Sequence, residues 1–447
     1  MLVPQLPESF GEMEPLFLAV ISGCNSGLFR EALHEVYVPR VQRGNAAFAA
    51  NILGARGALL SVLVHFFEQE SWDAPVQTGA EGHSLTTEDQ LFILTQAGLY
   101  LQAQRGGAPD VRLCYERAES LSHSLNHPHL LYSALIGQWR YAHATDKLTV
   151  AMQVAQRVYS LAKEQNDSAL LIGAYNALAG TLYFMGDFEA TLRYAILGVQ
   201  TWRSESVQSQ VQEVGASAVS VLCYEAQAKW HLGEIVGSQN TLAEAVSLAT
   251  EMNSMHGLAV ALWHEAVFAY YEGNRAEVER LASKSIELST RHHFAHWLPQ
   301  GEVFRGWARS VSGDITDGLA WILEGIEHFR ATGALRGLPF FLALKAEAFQ
   351  LAGRTAEALE VIRDAEGLIE RLGERLWCVE LYRLRGVLLA ALGADETQID
   401  ASLCEAIRVA EEQKSISLAK RAQATYAEYH RQKASALTEQ GFRIPLY

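Results

Sequence analysis

The sequence lacks the cysteine patterns that hold small secreted domains or zinc knuckles together. Its 447 residues contain five cysteines and no C-x-x-C pair. The closest two, Cys378 and Cys404, are 26 residues apart, so neither a zinc knuckle nor a dithiol redox motif can be drawn. We therefore expect most of them to be small core residues of a protein in a reducing cytoplasm.

Positive charge and long apolar runs are also scarce. The formal net charge is −15, so the molecule as a whole repels phosphate backbones and anionic membranes. Residues 1–15 carry no Lys or Arg, and the longest apolar stretch, near residues 58–67, is shorter than the roughly 18 residues of a membrane-spanning helix. These absences disfavour direct nucleic-acid binding and predict a cytoplasmic protein without a membrane span.

What the sequence does have is a repeat of forty residues. Five glycines mark it at constant spacing: Gly233, Gly273, Gly313, Gly353 and Gly393. Seven residues before each glycine stands a small residue: Ala226, Ala266, Gly306, Ala346 and Gly386. A helix that must stop and reverse within about three residues often ends in a left-handed conformation, which glycine adopts without strain. Small residues at the other positions let paired helices approach closely. The pattern predicts an all-α fold, a right-handed α-solenoid of antiparallel helical hairpins.

Earlier units are looser, and Gly186 marks the turn of the first regular one. The gap from Gly186 to Gly233 is 47 residues, and we place the surplus in a longer loop at 203–217. We predict about eight or nine hairpins. The predicted organisation is an N-terminal helical segment and flexible linker at 1–87, degenerate hairpins at 88–165, a regular solenoid at 166–432 and a tail at 433–447.

The pattern of small residues and turn glycines resembles the tetratricopeptide repeat (TPR), whose usual period is about 34 residues. The wording at 368–432, "LIERLGERLWCVELYRLRGVLLAALG" onward, and at 119–148 and 289–314 resembles the C-terminal TPR region of bacterial STAND-type signalling ATPases. In that family a nucleotide cyclase or a DNA-binding effector precedes the ATPase module. The resemblance covers about residues 15–432.

The resemblance implies a sensor or interaction arm, related in kind to the superhelical region of the maltose-type transcriptional activators. The chain departs from the family in having no G-x-x-x-x-G-K-[ST] phosphate loop and no alternation of strands and helices. The ATPase and output activities of the relatives are therefore not transferred to it. It is either a stand-alone TPR protein or the arm of a larger or split system.

Histidine clusters are the strongest candidates for enzyme chemistry, at "RHHFAHW" (291–297) and "SHSLNHPH" (122–129). Neither has the spacing of a metal site, and "WHEAVF" places Phe268 where a zinc-binding H-E-x-x-H helix needs its second histidine. We expect turns and packing at these positions, with metal binding at His292 and His296 as the minor alternative. The prediction is a protein that is not an enzyme and holds no metal or cofactor.

The inner face of the superhelix is the predicted binding site. In TPR superhelices the first helix of each hairpin lines the concave groove, at about three, six and ten residues before the turn glycine. Counting back, and one turn further in two units, selects Asn176, Tyr183, Gln227, Trp230, Trp263, Tyr270, Gln300, Trp307, Glu347, Glu380 and Arg383. Aromatic rings interleaved with amides and charges suit a peptide or a modest polar ligand. Packing against the adjacent helix is the alternative for each single residue. The leading hypothesis is a protein partner or a neighbouring signalling domain, and the second is a small molecule such as a sugar.

Overall fold

The structure, a computed structural model, describes residues 5–44, 47–51, 53, 55–68, 71–77, 79–80, 82–125, 127–204 and 211–435. Within these ranges the chain is helical, with a lone β-bridge between Phe67 and Pro75 and no strand. The fold is therefore all-α. The predicted tail beyond residue 435 lies outside the described residues.

The N-terminal segment is built from short helices around a buried aromatic core. Its elements are α1 (Phe10–Asn25), α2 (Phe29–Glu31), a π-helix (Ala32–Gln42), α3 (Phe48–Asn51), α4 (Arg56–Leu63) and a 3-10 helix (Val64–Phe66). Tyr37 packs edge-on against Phe66, and the buried Gln42 amide donates to the hydroxyl groups of Tyr37 and Tyr100 at 2.8 and 2.6 Å. The last of these contacts joins the segment to the first hairpin.

The segment predicted as a flexible linker makes specific contacts where it is described. The Cys114 thiol donates to the Trp72 carbonyl at 3.0 Å, and the Ala80 amide donates to the Gly27 carbonyl at 3.0 Å. The Trp72 ring lies 5.1 Å from that of Phe67. The described part of the linker is thus packed onto the N-terminal helices and the first hairpin, because its Trp and backbone groups find partners there.

Eight antiparallel hairpins follow in the described chain. Their helices are α5 (Thr87–Arg105) with α6 (Pro109–Leu125), α7 (Pro128–Thr145) with α8 (Leu148–Gln165), α9 (Ser168–Met185) with α10 (Phe188–Trp202), α11 (Val211–His231) with α12 (Ile235–Glu251), α13 (Met255–Tyr271) with α14 (Arg275–His292), α15 (Leu298–Val311) with α16 (Ile315–Ala331), α17 (Leu338–Leu351) with α18 (Thr355–Leu372), and α19 (Cys378–Ala391) with α20 (Glu396–Glu412). A single helix, α21 (Ile416–Ser435), closes the array. The predicted solenoid is confirmed.

The hairpin turns have a conformation that favours glycine. All six turn glycines have a positive φ, between 66° and 104°. The helices of a pair also approach closely where small residues allow it: a Cβ added at Gly306 would lie 2.6 Å from the Gly318 carbonyl oxygen. A second forty-residue series of left-handed residues ends the outer helices, and its members are Asn253, His293, Gly333 and Gly373. Left-handed residues therefore end both helices of these hairpins: a glycine ends each inner helix, and a residue of the second series ends each outer helix.

The first helix of each hairpin is the inner one. Inner helices contact the inner helices before and after them, whereas outer helices contact their hairpin partners and the next inner helix. Within the described chain, α9 is the one helix long and apolar enough to cross a membrane, and 56% of it is buried inside the protein, as in a core helix.

Candidate functional site

The residues predicted to line an open groove are found in the interior instead. Ten of the eleven are buried, with exposures from 0 to 8%. Asn176 is half-buried. The structure places all of them on inner helices or at their starts, but their side chains contact other protein groups rather than solvent. Their role in partner binding stays a prediction, and it requires the interior to open.

Five of these residues form the centre of a buried polar network. The Glu347 carboxyl group accepts from the Trp307 indole N–H at 2.6 Å, and its Oε1 atom is 2.7 Å from the hydroxyl oxygen of Tyr270, a group that can donate or accept. The Tyr270 oxygen is also 3.2 Å from Glu380 Oε1. The side chain of Arg383 forms a two-pronged ion pair with Glu380. We call this set, with Arg421, the interior ion network.

Arg421 is a member that the sequence-based selection missed. It extends from α21 to Glu380, with nitrogen–oxygen distances of 3.2 and 3.4 Å, and also donates to the Tyr271 carbonyl at 3.4 Å. The selection missed it because α21 has no turn glycine from which to count back. The signal available was the pair of polar residues Arg421 and Thr425, four apart and hence on one face of a helix.

The two carboxyl groups of the network, Glu347 and Glu380, differ in how readily they ionise. Burial first, and then the nearby Glu380, raise the pKa of Glu347 to about 7. Burial acts in the same direction on Glu380, but Arg383 and Arg421 outweigh it and lower its pKa to about 2. Because Glu380 stays ionised, a protonated Glu347 can donate to Tyr270, which in turn donates to Glu380. The network thus has a complete hydrogen-bonding pattern with one proton on Glu347.

The superhelix closes on itself because its successive turns touch. The Phe184 carbonyl at the end of α9 accepts from the amides of Arg375 and Leu376 at 2.9 and 3.2 Å. Forty residues earlier in the chain, the Ala144 carbonyl accepts in the same way from Leu335 and Arg336 at 2.8 and 3.1 Å.

The same line of contacts continues through side chains. His231 pairs with the Ser415 hydroxyl group at 2.9 Å, and Arg336 donates to the His143 carbonyl at 2.9 Å. The members of these two pairs are separated by 184 and 193 positions in the sequence, which corresponds to about five hairpins. We call this line of contacts between turns the seam.

A buried ion pair strengthens the seam. Arg336 pairs with Glu374 at 3.1 Å and donates to the Asp146 carbonyl at 2.9 Å. Both partners of the pair are almost inaccessible to solvent. Sequence reasoning missed both residues because they precede the inner helices, where no period marks them as inward-facing.

Four histidines of the solenoid are buried or half-buried, and we call them the interior histidines: His143, His231, His264 and His296. Burial lowers the pKa of the first three to about 3 and that of His296 to about 4. They are therefore neutral at pH 7. His231 stacks on the Phe188 ring at 3.6 Å, which is a packing role.

The histidine clusters considered in the sequence do not come together as a metal centre. Among the residues that the structure describes, no group of three or more His, Cys, Asp or Glu is placed to hold a metal ion. His293 ends α14 in the left-handed conformation, and His296 packs against Trp297 at 5.0 Å.

Together, the hairpins and the closed inner face define an all-helical repeat protein. No family model matches the chain. An uncharacterized protein of Rhizobium meliloti (strain 1021) is 25% identical over 270 residues, which are 60% of this chain and 26% of that protein. The matched region therefore spans about a quarter of this relative's length.

Two solved structures were also found to be similar. A Rap protein complexed with Competence and Sporulation Factor has a TM-score of 0.47 and 12% identity, covering 89% of this chain and 99% of that one. The apo form of RapI has a TM-score of 0.40 and 11% identity, covering 78% of this chain and 98% of that one.

Proposed function

We propose that the protein is a non-enzymatic interaction module that binds a protein partner or a neighbouring signalling domain through its inner face. The resemblance in sequence supports a role in a cytoplasmic bacterial signalling system with an ATPase, a cyclase or a transcription regulator. The Rhizobium relative supports an arm of a larger protein, because the matched region is 26% of that protein.

The observation that carries the proposal is the interior ion network. Buried charges cost desolvation energy, and a well-packed apolar core at the same place is often as stable or more so. The other inner-face residues are large rings and amides, which are effective in recognition. The inner face keeps Glu380, Arg383 and Arg421, and this composition suits a solenoid that also opens to bind a partner. It suits a permanently closed core less well.

Opening at the seam gives a partner access to this face. The backbone hydrogen bonds of the seam are few, and each is worth about 1 kcal/mol net. Each hairpin of a solenoid contacts chiefly its neighbours, so small changes in pitch can separate successive turns without unfolding a hairpin.

A reversible disulfide across the seam tests the proposal. A Cβ added at Gly233 lies 3.3 Å from the Ile416 Cβ, close to the roughly 3.5–4.5 Å of a disulfide. We propose the double variant Gly233→Cys with Ile416→Cys, made with Cys404→Ser to remove the exposed native thiol. The reduced double variant is used to capture binding proteins from a lysate of the native host, and mass spectrometry identifies them. We expect these proteins not to bind the oxidised double variant, in which the disulfide holds the seam closed.

The matched control is Gly233→Cys with Cys404→Ser, which has the same backbone strain at a φ of 87° but no cross-link. A partner that binds the oxidised and reduced double variant equally well contradicts binding through the inner face. A partner lost from the oxidised double variant but kept by the control supports it.

A small-molecule sensor is the second candidate function. It is favoured by one observation: the Arg56 guanidinium group and the rings of His256 and His292 surround the Phe294 ring, at 5.2, 5.9 and 5.6 Å from its centroid. In this role the ligand occupies the interior and the partner responds to the change in superhelix shape.

A further inference from the structure

The interior ion network is an interface between hairpins. Tyr270 lies on α13, Glu347 on α17 and Glu380 on α19, so one tyrosine of an early hairpin contacts the carboxyl groups of two later ones. Arg421 adds α21 to the same interface through Glu380. Each of these helices belongs to a different repeat, and the contacts between them are therefore broken when the repeats separate.

The contacts of Tyr270 require a proton on one of the two carboxyl groups. Its hydroxyl oxygen is 2.7 Å from Glu347 Oε1 and 3.2 Å from Glu380 Oε1. A hydroxyl group has one proton to donate, so the second of these oxygen–oxygen contacts needs a proton from the carboxyl group. Glu380 accepts from the guanidinium groups of Arg383 and Arg421 and stays ionised. The proton therefore belongs on Glu347.

Removing that proton disrupts the hydrogen bonds at Tyr270. Two carboxylates then share one hydroxyl proton, and one of the two contacts is left with lone pairs on both oxygens. Glu347 and Tyr270 are 1% and 0% exposed, so solvent does not compensate either group in the closed form. Separating α13 from α17 and α19 relieves the repulsion, because water can then solvate both carboxylates.

The other charged and titratable groups of this interface keep their charge between pH 5 and 8. They are Tyr270 and Tyr271 from α13, Glu380 and Arg383 from α19, and Arg421 from α21. Burial raises the pKa of both tyrosines above its usual value, and guanidinium groups stay protonated. Burial also raises the pKa of Glu380, but Arg383 and Arg421 outweigh it and hold that pKa at about 2. Trp307, which α15 contributes, does not titrate.

We propose that the interior ion network is a pH-dependent switch between the closed and the opened solenoid, in which a proton on Glu347 holds α13 against α17 and α19 and its loss favours opening. This inference rests on the proposed function, in which the opened form binds the partner, and deepens it by naming what regulates the opening. Partner binding should then strengthen as pH rises.

The direction of the change follows from the proton balance. The closed form keeps the proton up to the pKa of about 7 that Glu347 has there, whereas a solvated Glu347 releases it near 4.5. Rising pH therefore favours opening between these two values and has no further effect above them, which amounts to about 10- to 30-fold in the opening equilibrium between pH 5.5 and pH 8. The interior histidines act in the opposite sense, because opening lets them take up protons as pH falls. Comparison of the wild type with Glu347→Gln cancels their effect, since both proteins have the same histidines.

An exposed ion pair across the seam provides the place for a distance measurement. The Lys414 ammonium nitrogen is 2.6 Å from a Glu189 carboxylate oxygen, and both side chains are exposed. The reporter protein is the full chain with Glu189→Cys and Lys414→Cys, made with Cys404→Ser because Cys404 is the exposed cysteine among the five. Spin labels on the two new cysteines report the separation of the seam by electron paramagnetic resonance. We expect a short distance at pH 5.5 and, at pH 8, a second population at longer distance.

Two variants of the reporter protein assign the effect to Glu347. Glu347→Gln keeps the hydrogen bonds of the protonated carboxyl group at every pH, so the short distance should persist at pH 8. The matched control is Glu357→Gln, which removes an exposed carboxylate from α18 and should behave as the wild type does. Circular dichroism checks that each variant folds. If Glu347→Gln does not fold, the pH profile of the reporter protein alone still decides, because the proposal requires a longer distance at pH 8 than at pH 5.5.

The results separate this inference from the proposed function. The switch is overturned if the distances in the reporter protein are the same at both pH values, or if Glu347→Gln shows the same change with pH. It is supported if the longer distance depends on pH in the reporter protein and in Glu357→Gln but is lost in Glu347→Gln. If the switch fails while the seam disulfide still abolishes partner capture, binding through the inner face stands. If the switch operates but captured partners bind the oxidised seam variant equally well, the proposed function fails and the switch stands.

Discussion

Replacing Glu347 by glutamine should stabilise the protein at alkaline pH and change little at acidic pH. The Glu347 carboxyl group is buried beside ionised Glu380, and its pKa is raised to about 7 from a reference of 4.5. In the unfolded chain it ionises near its ordinary value. Between those two pH values the folded state holds a proton that the unfolded state has lost, so the stability of the wild type falls as pH rises through this window.

The size of the effect follows from the width of the window. Each unit of pKa difference corresponds to about 1.4 kcal/mol, so ionising Glu347 in place costs roughly 3 kcal/mol above pH 7. A glutamine carries no charge at any pH. It can accept from the Trp307 indole through its oxygen and donate to Tyr270 through its amide, as the protonated carboxyl group does.

Native-state hydrogen exchange of the α17 and α19 amides is the suitable assay, because it reports opening of these hairpins rather than of the whole array. We expect the opening free energy of Glu347→Gln to exceed that of the wild type by about 2–3 kcal/mol at pH 8, and by less than about 1 kcal/mol at pH 5. The control is Glu357→Gln, an exposed carboxylate on α18. The reasoning is refuted if the difference between Glu347→Gln and the wild type is the same at both pH values.

Three further predictions concern the network, the turns and the interior histidines. Glu380→Gln should destabilise the fold by about 3–5 kcal/mol, because it leaves the buried Arg383 and the half-buried Arg421 without their counter-charge, whereas Glu405→Gln in an exposed pair should cost under about 1 kcal/mol. Urea denaturation measures both variants, and equal effects contradict the network. Gly353→Val should cost about 1–3 kcal/mol through backbone strain at a φ of 74°; no steric clash adds to it, because no atom lies within 4 Å of the added Cβ. An unchanged melting temperature contradicts the turn, and the control Gly367→Ala, within a helix, should not destabilise the protein. The interior histidines must stay neutral in the fold, so stability should fall progressively from pH 6.5 toward pH 3–4, seen as expansion in small-angle scattering; a constant size down to pH 4 would show that they tolerate charge.

The hairpins could be predicted from sequence because their causes are local. A left-handed turn at Gly353 depends on one residue, and the fit of α15 against α16 depends on Gly306 and its neighbours in the same hairpin. Counting back from the turn also selected inner-helix positions such as Tyr270 and Glu347. What the count cannot provide is the identity of the group that each side chain meets.

The partners of the inner-face side chains come from hairpins about two to four repeats further along the chain. Tyr270 meets Glu347 and Glu380, 77 and 110 residues away, and Arg421 reaches Tyr271 across 150 residues. Nothing in the repeat pattern fixes these pairings.

The amino-acid pattern is enough to predict an array of helical hairpins with a forty-residue period, and to predict which side of each first helix faces inward. The closing of the array is visible only in the three-dimensional packing. The pitch of a solenoid is the sum of small rotations between neighbouring hairpins, each too small to leave a mark in the sequence. Over about five hairpins that sum brings the Phe184 carbonyl to the Arg375 amide, and an expected open groove becomes a closed interior.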